Sequence, residues 1–126
     1  PRCLIFREEM SLMYKFDRPL YLGASVRNPG WIRIRLRMNR FVPHAFLILL
    51  AHGDDQLEII STEVLSQPWY RKQTHYVIGM AHTYPEAIEI IRKITEECVT
   101  LNGDADLKKY LRDRRNRYMN EVQKEN

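Results

Sequence analysis

Between Arg18 and Gly53 the sequence has no aspartate, no glutamate and no lysine, yet it has six arginines. The chain as a whole carries 20 basic and 16 acidic residues. Removing those six arginines leaves 14 basic against 16 acidic residues, so one stretch accounts for the net charge of +4. Segregated charge sets up a local field that a mixed surface does not, and it draws an anionic partner. Cysteine is scarce. Cys3 and Cys98 are the only two and form no CxxC pair, which excludes a zinc ribbon or a dithiol redox motif. A disulfide between them is one reading, and the simpler one is two free thiols in a reducing compartment. Glycine is scarce too: five scattered residues supply no phosphate-cradling loop, and no serine or cysteine sits in a nucleophile-elbow frame. Long apolar runs are missing. The longest, Ala45 to Ala51, falls far short of the roughly 20 residues a membrane span needs, and the N-terminus lacks a signal-peptide core. A soluble, cytoplasmic protein is expected.

What is present suits one globular domain over residues 1–126. At this length a chain buries roughly two-thirds of its unfolded surface and holds a core without staples. Residues 1–27 give no clear element signal beyond short apolar patches, though Pro19 to Gly23 fits an edge strand. Ala45 to Ala51 reads as a strand buried on both faces. His52-Gly53-Asp54-Asp55 is a turn, and Leu57 to Thr62 returns antiparallel to the first strand. Glu63 to Tyr70 is a short helix or turn. Tyr76 to Ala81 is a further strand, with Gly79 marking a close backbone approach.

Thr83 and Glu86 make a capping box with Pro85 in the first turn. Ala87, Ile90, Ile91, Ile94 and Cys98 then form one apolar stripe of a helix over 84–101, ended by Asn102-Gly103. Asp104 or Asp106 caps a final helix, and residues 120–126 read as a frayed tail. The expected class is α+β: a small, mainly antiparallel sheet of three to five strands, packed against a long helix with a basic C-terminal helix beside it.

Trp31 to Met38 supports two readings. Ile32, Ile34, Leu36 and Met38 alternate with Arg33, Arg35 and Arg37. Period two favours a strand with a one-sided arginine row. Asn28-Pro29, in contrast, is a helix start, and wound as a helix the apolar set splits to two sides while Arg35 leaves its neighbours.

Leu57-Glu58-Ile59-Ile60, Leu65 to Tyr70 (Leu-Ser-Gln-Pro-Trp-Tyr) and Val77 to Ile88 carry a resemblance. Their pattern is L-x-I, L-x-Q-P-x-Y and V-x-G-x-A-x-x-Y-x-E-A. It resembles a family of small bacterial proteins, clostridial and associated with mobile elements, with no assigned activity. The likeness covers about residues 45–112. It implies a mobile-element protein acting on a host or rival component, and it transfers no catalytic residue.

Four groups of residues are candidates for function. Arg33, Arg35, Arg37 and Arg40 offer guanidinium forks suited to phosphate or carboxylate, with Trp31 able to stack on a base. Lys108, Lys109, Arg112 and Arg115 make the C-terminal helix basic. The two regions form a broad phosphate-binding surface if they share a face. His52 and His82 each end a strand. If those strands run parallel, the two imidazoles and Asp54 are credible ligands for a transition metal or an acid–base pair, although the spacing matches no established metal signature. Pro68-Trp69-Tyr70 with Tyr76 is an aromatic cluster suited to a protein anchor or to the core.

The leading expectation is a non-enzymatic binding or regulatory protein without a cofactor. It would engage nucleic acid or a nucleic-acid-binding protein through its arginines. An inhibitor of a nuclease or defence system is the alternative, and a small metal-dependent enzyme built on His52 and His82 is the second alternative. No membrane partner is expected, and self-association is left open.

Overall fold

The computed structural model describes residues 14–38, 40, 42–51, 56–65, 67–71 and 73–125. Its elements run β1 (Tyr14–Leu22), α1 (Pro29–Arg37), β2 (Phe46–Leu50), β3 (Leu57–Ser61), α2 (Thr62–Leu65), α3 (Pro68–Arg71), β4 (His75–Ala81), α4 (Tyr84–Asn102) and α5 (Leu107–Glu125). The fold is α+β. Among the described residues no helix is long and apolar enough to cross a membrane.

The four described strands are ordered β1-β4-β2-β3. β2 pairs antiparallel with β3 and with β4, while β1 joins β4 in parallel. The hairpin forms as the sequence predicts, with Phe46 opposite Ser61 and Leu50 opposite Leu57. An N-terminal strand is also present. It begins at Tyr14 and includes the expected edge segment.

β1 is irregular. Phe16 lies opposite Val77 and Tyr21 opposite Gly79, so five positions along β1 span two along β4. The surplus residues include Asp17 and Pro19, and they bow out of the ladder with β4. Gly79 sits where β1 returns. A Cβ there would stand 3.0 Å from the Tyr21 carbonyl oxygen and 3.2 Å from Ile48 Cδ1. The close approach expected at Gly79 is therefore to strand neighbours on both sides.

Helices cover both faces of the sheet. On one side Ile32 and Leu36 of α1 and Leu65 of α2 join Tyr14, Leu47, Leu49, Val77 and Met80. On the other, α4 and α5 bring Ala87, Ile90, Ile94, Cys98, Tyr110 and Leu111 onto Ile48 and Ile78. Successive strand residues serve opposite faces, which is why the continuous apolar run of β2 is buried throughout its middle. Each fully buried Leu or Ile contributes about 1.5–3 kcal/mol relative to exposure.

α4 forms as predicted. The Thr83 hydroxyl accepts from the Glu86 amide, and Gly103 closes the helix with φ 76° and its amide bonded to the Val99 carbonyl. Asp106 caps α5, its carboxylate accepting from the Lys109 amide. α5 continues as helix to Glu125, through the stretch read as a frayed tail. Glu63 to Tyr70 resolves into two short helices, α2 and α3.

Trp31 to Met38 does not join the sheet. It is helical, and the strand expectation is corrected. Pro29 occupies the first turn of α1 and the Ile32 amide bonds to the Asn28 carbonyl. The alternation misleads because only alternate members of the apolar set belong to the core. Ile32 and Leu36, four apart, face inward, while Ile34 and Met38 face solvent.

Candidate functional site

α1 distributes its arginines to two sides. Arg33 and Arg37, one turn apart, lie over the Phe16 ring, with guanidinium carbons 5.0 and 5.3 Å from its centroid. Arg35 leaves them and stacks on Trp31 at 5.0 Å. There is thus no straight arginine row at strand spacing. The outer face instead combines Trp31 (50% exposed), Ile34 (59%) and Met38 (51%) with Arg35, flanked by exposed Arg27, Arg37 and Arg40. Positions 31, 34 and 38 repeat at helical spacing, directly opposite Ile32 and Leu36. Beside Trp31 a cleft of about 180 Å3 is bounded by Arg27, Pro43 and His82.

Two acids of α4, Glu86 and Glu89, have partners of their own. Glu86 accepts from the Ser25 hydroxyl and the His82 amide, which ties the turn after β1 to the start of α4. The Ser25 hydrogen bond, ahead of the His82 amide bond, holds the Glu86 carboxyl below its usual range. Glu89 pairs with Arg92 at 2.9 Å on the exposed side of α4.

The C-terminal helix packs on the opposite face of the sheet from α1, so the two basic elements do not form one surface. Among the described residues they approach each other beside β1. There a groove of about 420 Å3 has Arg33 and Gly30 on one wall and Tyr118 on the other. Of the four basic residues singled out on α5, Lys109 and Arg112 are exposed. Lys108 donates from Nζ to the Ala51 carbonyl at 2.9 Å. Arg115 donates to the Tyr76 hydroxyl and lies over that ring. These last two act as internal ties and not as an open phosphate surface.

Around Tyr76 is a cluster that the sequence did not reveal. Asp17, 3% exposed, accepts from the Tyr76 hydroxyl at 3.2 Å and faces Arg114 Nη1 at 3.7 Å. Arg114 also donates to the Pro19 carbonyl at 2.6 Å and covers the Tyr21 ring. Tyr21 and Tyr110 both donate to Glu97 Oε2, at 2.6 and 2.8 Å. Burial first, and the bond to Glu97 second, push both tyrosine hydroxyls above their usual range. Tyr76 is raised by burial and then by the charge of Asp17. The cluster pins α5 and α4 to the bulge of β1. An acid among strand residues and an unremarkable Arg114 were its only sequence signals.

The parallel strands on which the histidine pairing depended are not found. β2 and β4 run antiparallel, with Phe46 opposite Ala81, so Ala51 and Ala81 lie at opposite ends of the sheet. His52 and Asp54 lie outside the described residues. His82 Nδ1 is 3.1 Å from the carbonyl oxygen of His44, a residue with the left-handed φ of 51°. Among the described residues no group of three histidine, cysteine or acidic side chains could hold a metal. Cys98 is a free, buried thiol whose Sγ lies 3.2 Å from the Asp104 carbonyl oxygen. Burial, followed by Asp104 and Asp106, raises its pKa and makes it a poor nucleophile. Cys3 lies outside the described residues. Tyr70 packs against the α1-side core, and the Trp69 side chain lies outside the described set.

Comparison of the chain with protein-family models, with curated proteins and with solved structures finds no match.

Proposed function

We propose that this protein is a non-enzymatic binding module that docks α1 onto an acidic protein surface. The outward stripe of Trp31, Ile34 and Met38, set among arginines, carries this reading. A helix that merely keeps a protein soluble does not need to expose a tryptophan, an isoleucine and a methionine in register. A helix that enters a partner's groove presents anchors at this spacing. Tryptophan, methionine and arginine are also enriched where interfaces concentrate their binding energy. The absence of acids from Arg18 to Gly53 supplies the charge complementarity, so the partner's groove is apolar at its floor and acidic at its rim.

The mobile-element resemblance makes a component of a host or rival nucleic-acid machine the natural class of partner. The sign of the charge constrains an inhibitor of a nuclease or defence system. A nucleic-acid mimic needs acids, so an inhibitor of this kind would grip an acidic face of its target.

Direct binding of nucleic acid is the second reading, and Trp31 with its stacked Arg35 favours it. An exposed indole beside guanidinium groups suits a single-stranded base and its phosphates.

One experiment separates the two. Wild type, Trp31→Ala, Ile34→Glu and Arg35→Glu are compared for capture of a stoichiometric protein from source cells. The same proteins are compared for binding of random-sequence single- and double-stranded DNA and RNA at low salt. A protein captured by wild type and lost in Ile34→Glu supports docking. Nucleic-acid binding that tolerates Ile34→Glu, with a log–log salt slope of about −4 to −5 for roughly five phosphates, supports the second reading. Neither activity, in protein that remains folded, overturns both.

A further inference from the structure

The turn that leads into α1 holds polar groups that the fold does not use. Asn28 stands at the N-cap of α1, where an asparagine ordinarily accepts a bond from the first turn, yet its side chain makes no such bond. Arg27 beside it is exposed and has no ion pair among the described residues. The Trp31 indole N–H has no acceptor among them either. All three line the cleft of about 180 Å3 beside α1.

Much of the remaining wall is carbon. Ile32 and Val42, each 2% exposed, carry it down to the core, and Pro43 adjoins them. No acid is among the lining residues. Glu86, which bonds two residues of the wall, spends its oxygens on Ser25 and on the His82 amide.

Size and chemistry narrow the occupant. The cleft is smaller than the roughly 300 Å3 at which cofactor pockets begin, and close to the about 150 Å3 that holds a benzene-sized group. It therefore takes one side chain and not a nucleotide. A phosphate would match Arg27 but would set a hydrated ion against Ile32 and Val42. A plain hydrocarbon would match those two and leave the donors of Arg27 and Asn28 without an acceptor. A carboxylate carried one carbon away from an apolar side chain satisfies both. The last residue of a polypeptide has that form, whereas an aspartate or glutamate brings little carbon beyond its own stem.

We infer that the cleft beside Trp31 binds the carboxy-terminal residue of a partner chain, with its apolar side chain against Ile32 and Val42 and its carboxylate on Arg27 and Asn28. The inference rests on the reading of α1 as a protein-docking helix and names the part of the partner that sits beside it. Trp31 belongs both to the exposed stripe and to the cleft, so one partner engages the two together. A terminal carboxylate also supplies the negative charge that the acid-free stretch calls for.

Three short peptides test it: acetyl-Gly-Gly-Leu with a free carboxylate, the same peptide as its carboxamide, and acetyl-Gly-Glu-Gly-amide with an internal acid. Binding is followed by nitrogen–proton correlation spectra at the Trp31 indole and the Val42 amide. The free carboxylate should bind saturably at millimolar concentration, and the other two about ten-fold more weakly. Arg27→Glu should weaken the first peptide by a further factor of about ten, and Asn28→Ala by less. Both positions are exposed, and unchanged far-ultraviolet circular dichroism shows that the variants fold. Equal binding of acid and carboxamide overturns the inference, as does indifference to Arg27→Glu or the absence of any saturable shift. Preference for the internal acid also overturns it and gives the cleft to an acidic side chain. Ile34→Glu, outside the cleft, separates this result from the docking of α1. Partner capture that is lost in Ile34→Glu while no peptide binds leaves docking standing and removes the terminus. Peptide binding as expected, with capture indifferent to Ile34→Glu, supports the cleft and removes the docking of the stripe.

Discussion

Arg114 covers the ring of Tyr21, its guanidinium carbon 4.0 Å from the centroid, while Nη1 reaches the Pro19 carbonyl. The residue thereby joins the last helix to the first described strand, facing the buried Asp17 as it does so. Arg114→Ala should cost about 3 kcal/mol, because it removes a cation from beside a buried carboxylate. Arg114→Lys should recover only part of this, since an ammonium neither stacks on the ring nor forks between two acceptors. Arg112→Ala, on an exposed position of the same helix, should stay within about 0.5 kcal/mol. Urea midpoints for the three variants check the order.

The contact of Glu86 with Ser25 predicts an acid-sensitive joint. The carboxyl's folded pKa lies below its ordinary value of 4.5, chiefly through the Ser25 hydroxyl. Its stabilising contribution is therefore complete above that value and disappears as pH falls through the lowered folded pKa. Ser25→Ala should bring the Glu86 titration back toward 4.5 and make the acid side of the stability profile shallower. Carboxyl chemical shifts followed through a pH titration, with unfolding midpoints alongside, measure both effects.

Alkali should act through Tyr21 and Tyr110. Their folded pKa values lie above the ordinary 10.0, so below that pH both states keep the proton and no pH dependence arises from them. Above it the unfolded chain releases protons that the folded chain retains, and stability falls as pH rises. The double variant Tyr21→Phe, Tyr110→Phe should flatten that decline. It should also be less stable at neutral pH, having lost two hydroxyl donors to Glu97. Phenolate absorbance and unfolding midpoints over the alkaline range test the sign.

At Gly79 a methyl group would press on the backbone of Tyr21 and on Ile48 Cδ1. Neither neighbour is the loose end of a flexible side chain. Gly79→Ala should destabilise by about 1–3 kcal/mol through overpacking. The largest amide chemical-shift changes should fall on Tyr21 and Leu22, and an unchanged β1 would contradict this placement.

Elements whose pattern had a single interpretation could be read from the sequence. The β2–β3 hairpin declared itself through an apolar run, a turn and a second short run, and α4 through its cap, its stripe and Gly103. α1 was harder because two periodicities overlap in eight residues. Alternation is a property of the residue types, yet half of the apolar set turned out to serve solvent and not the core. The same fact concealed the outer stripe of Trp31, Ile34 and Met38, which looks like core material until the fold assigns Ile32 and Leu36 that role. The cluster of Asp17, Tyr76 and Arg114 joins three separate elements that no local window brings together. Its members carry no pattern of their own. The sheet's handed order, and with it the separation of His82 from the end of β2, depended on whether β2 and β4 run parallel. Nothing in either strand's composition decides that.

The parallel seam between β1 and β4 has a consequence for the order in which the molecule assembles and opens. β2, β3 and β4 follow one another closely and can close through short loops, while β1 must wait for a partner about sixty positions away in sequence. It is then the natural last strand to arrive and the first to leave. α1 is anchored to it through Phe16, beneath Arg33 and Arg37. A partner that grips α1 would therefore hold shut the slowest-closing part of the sheet, and its departure would return that strand to local opening.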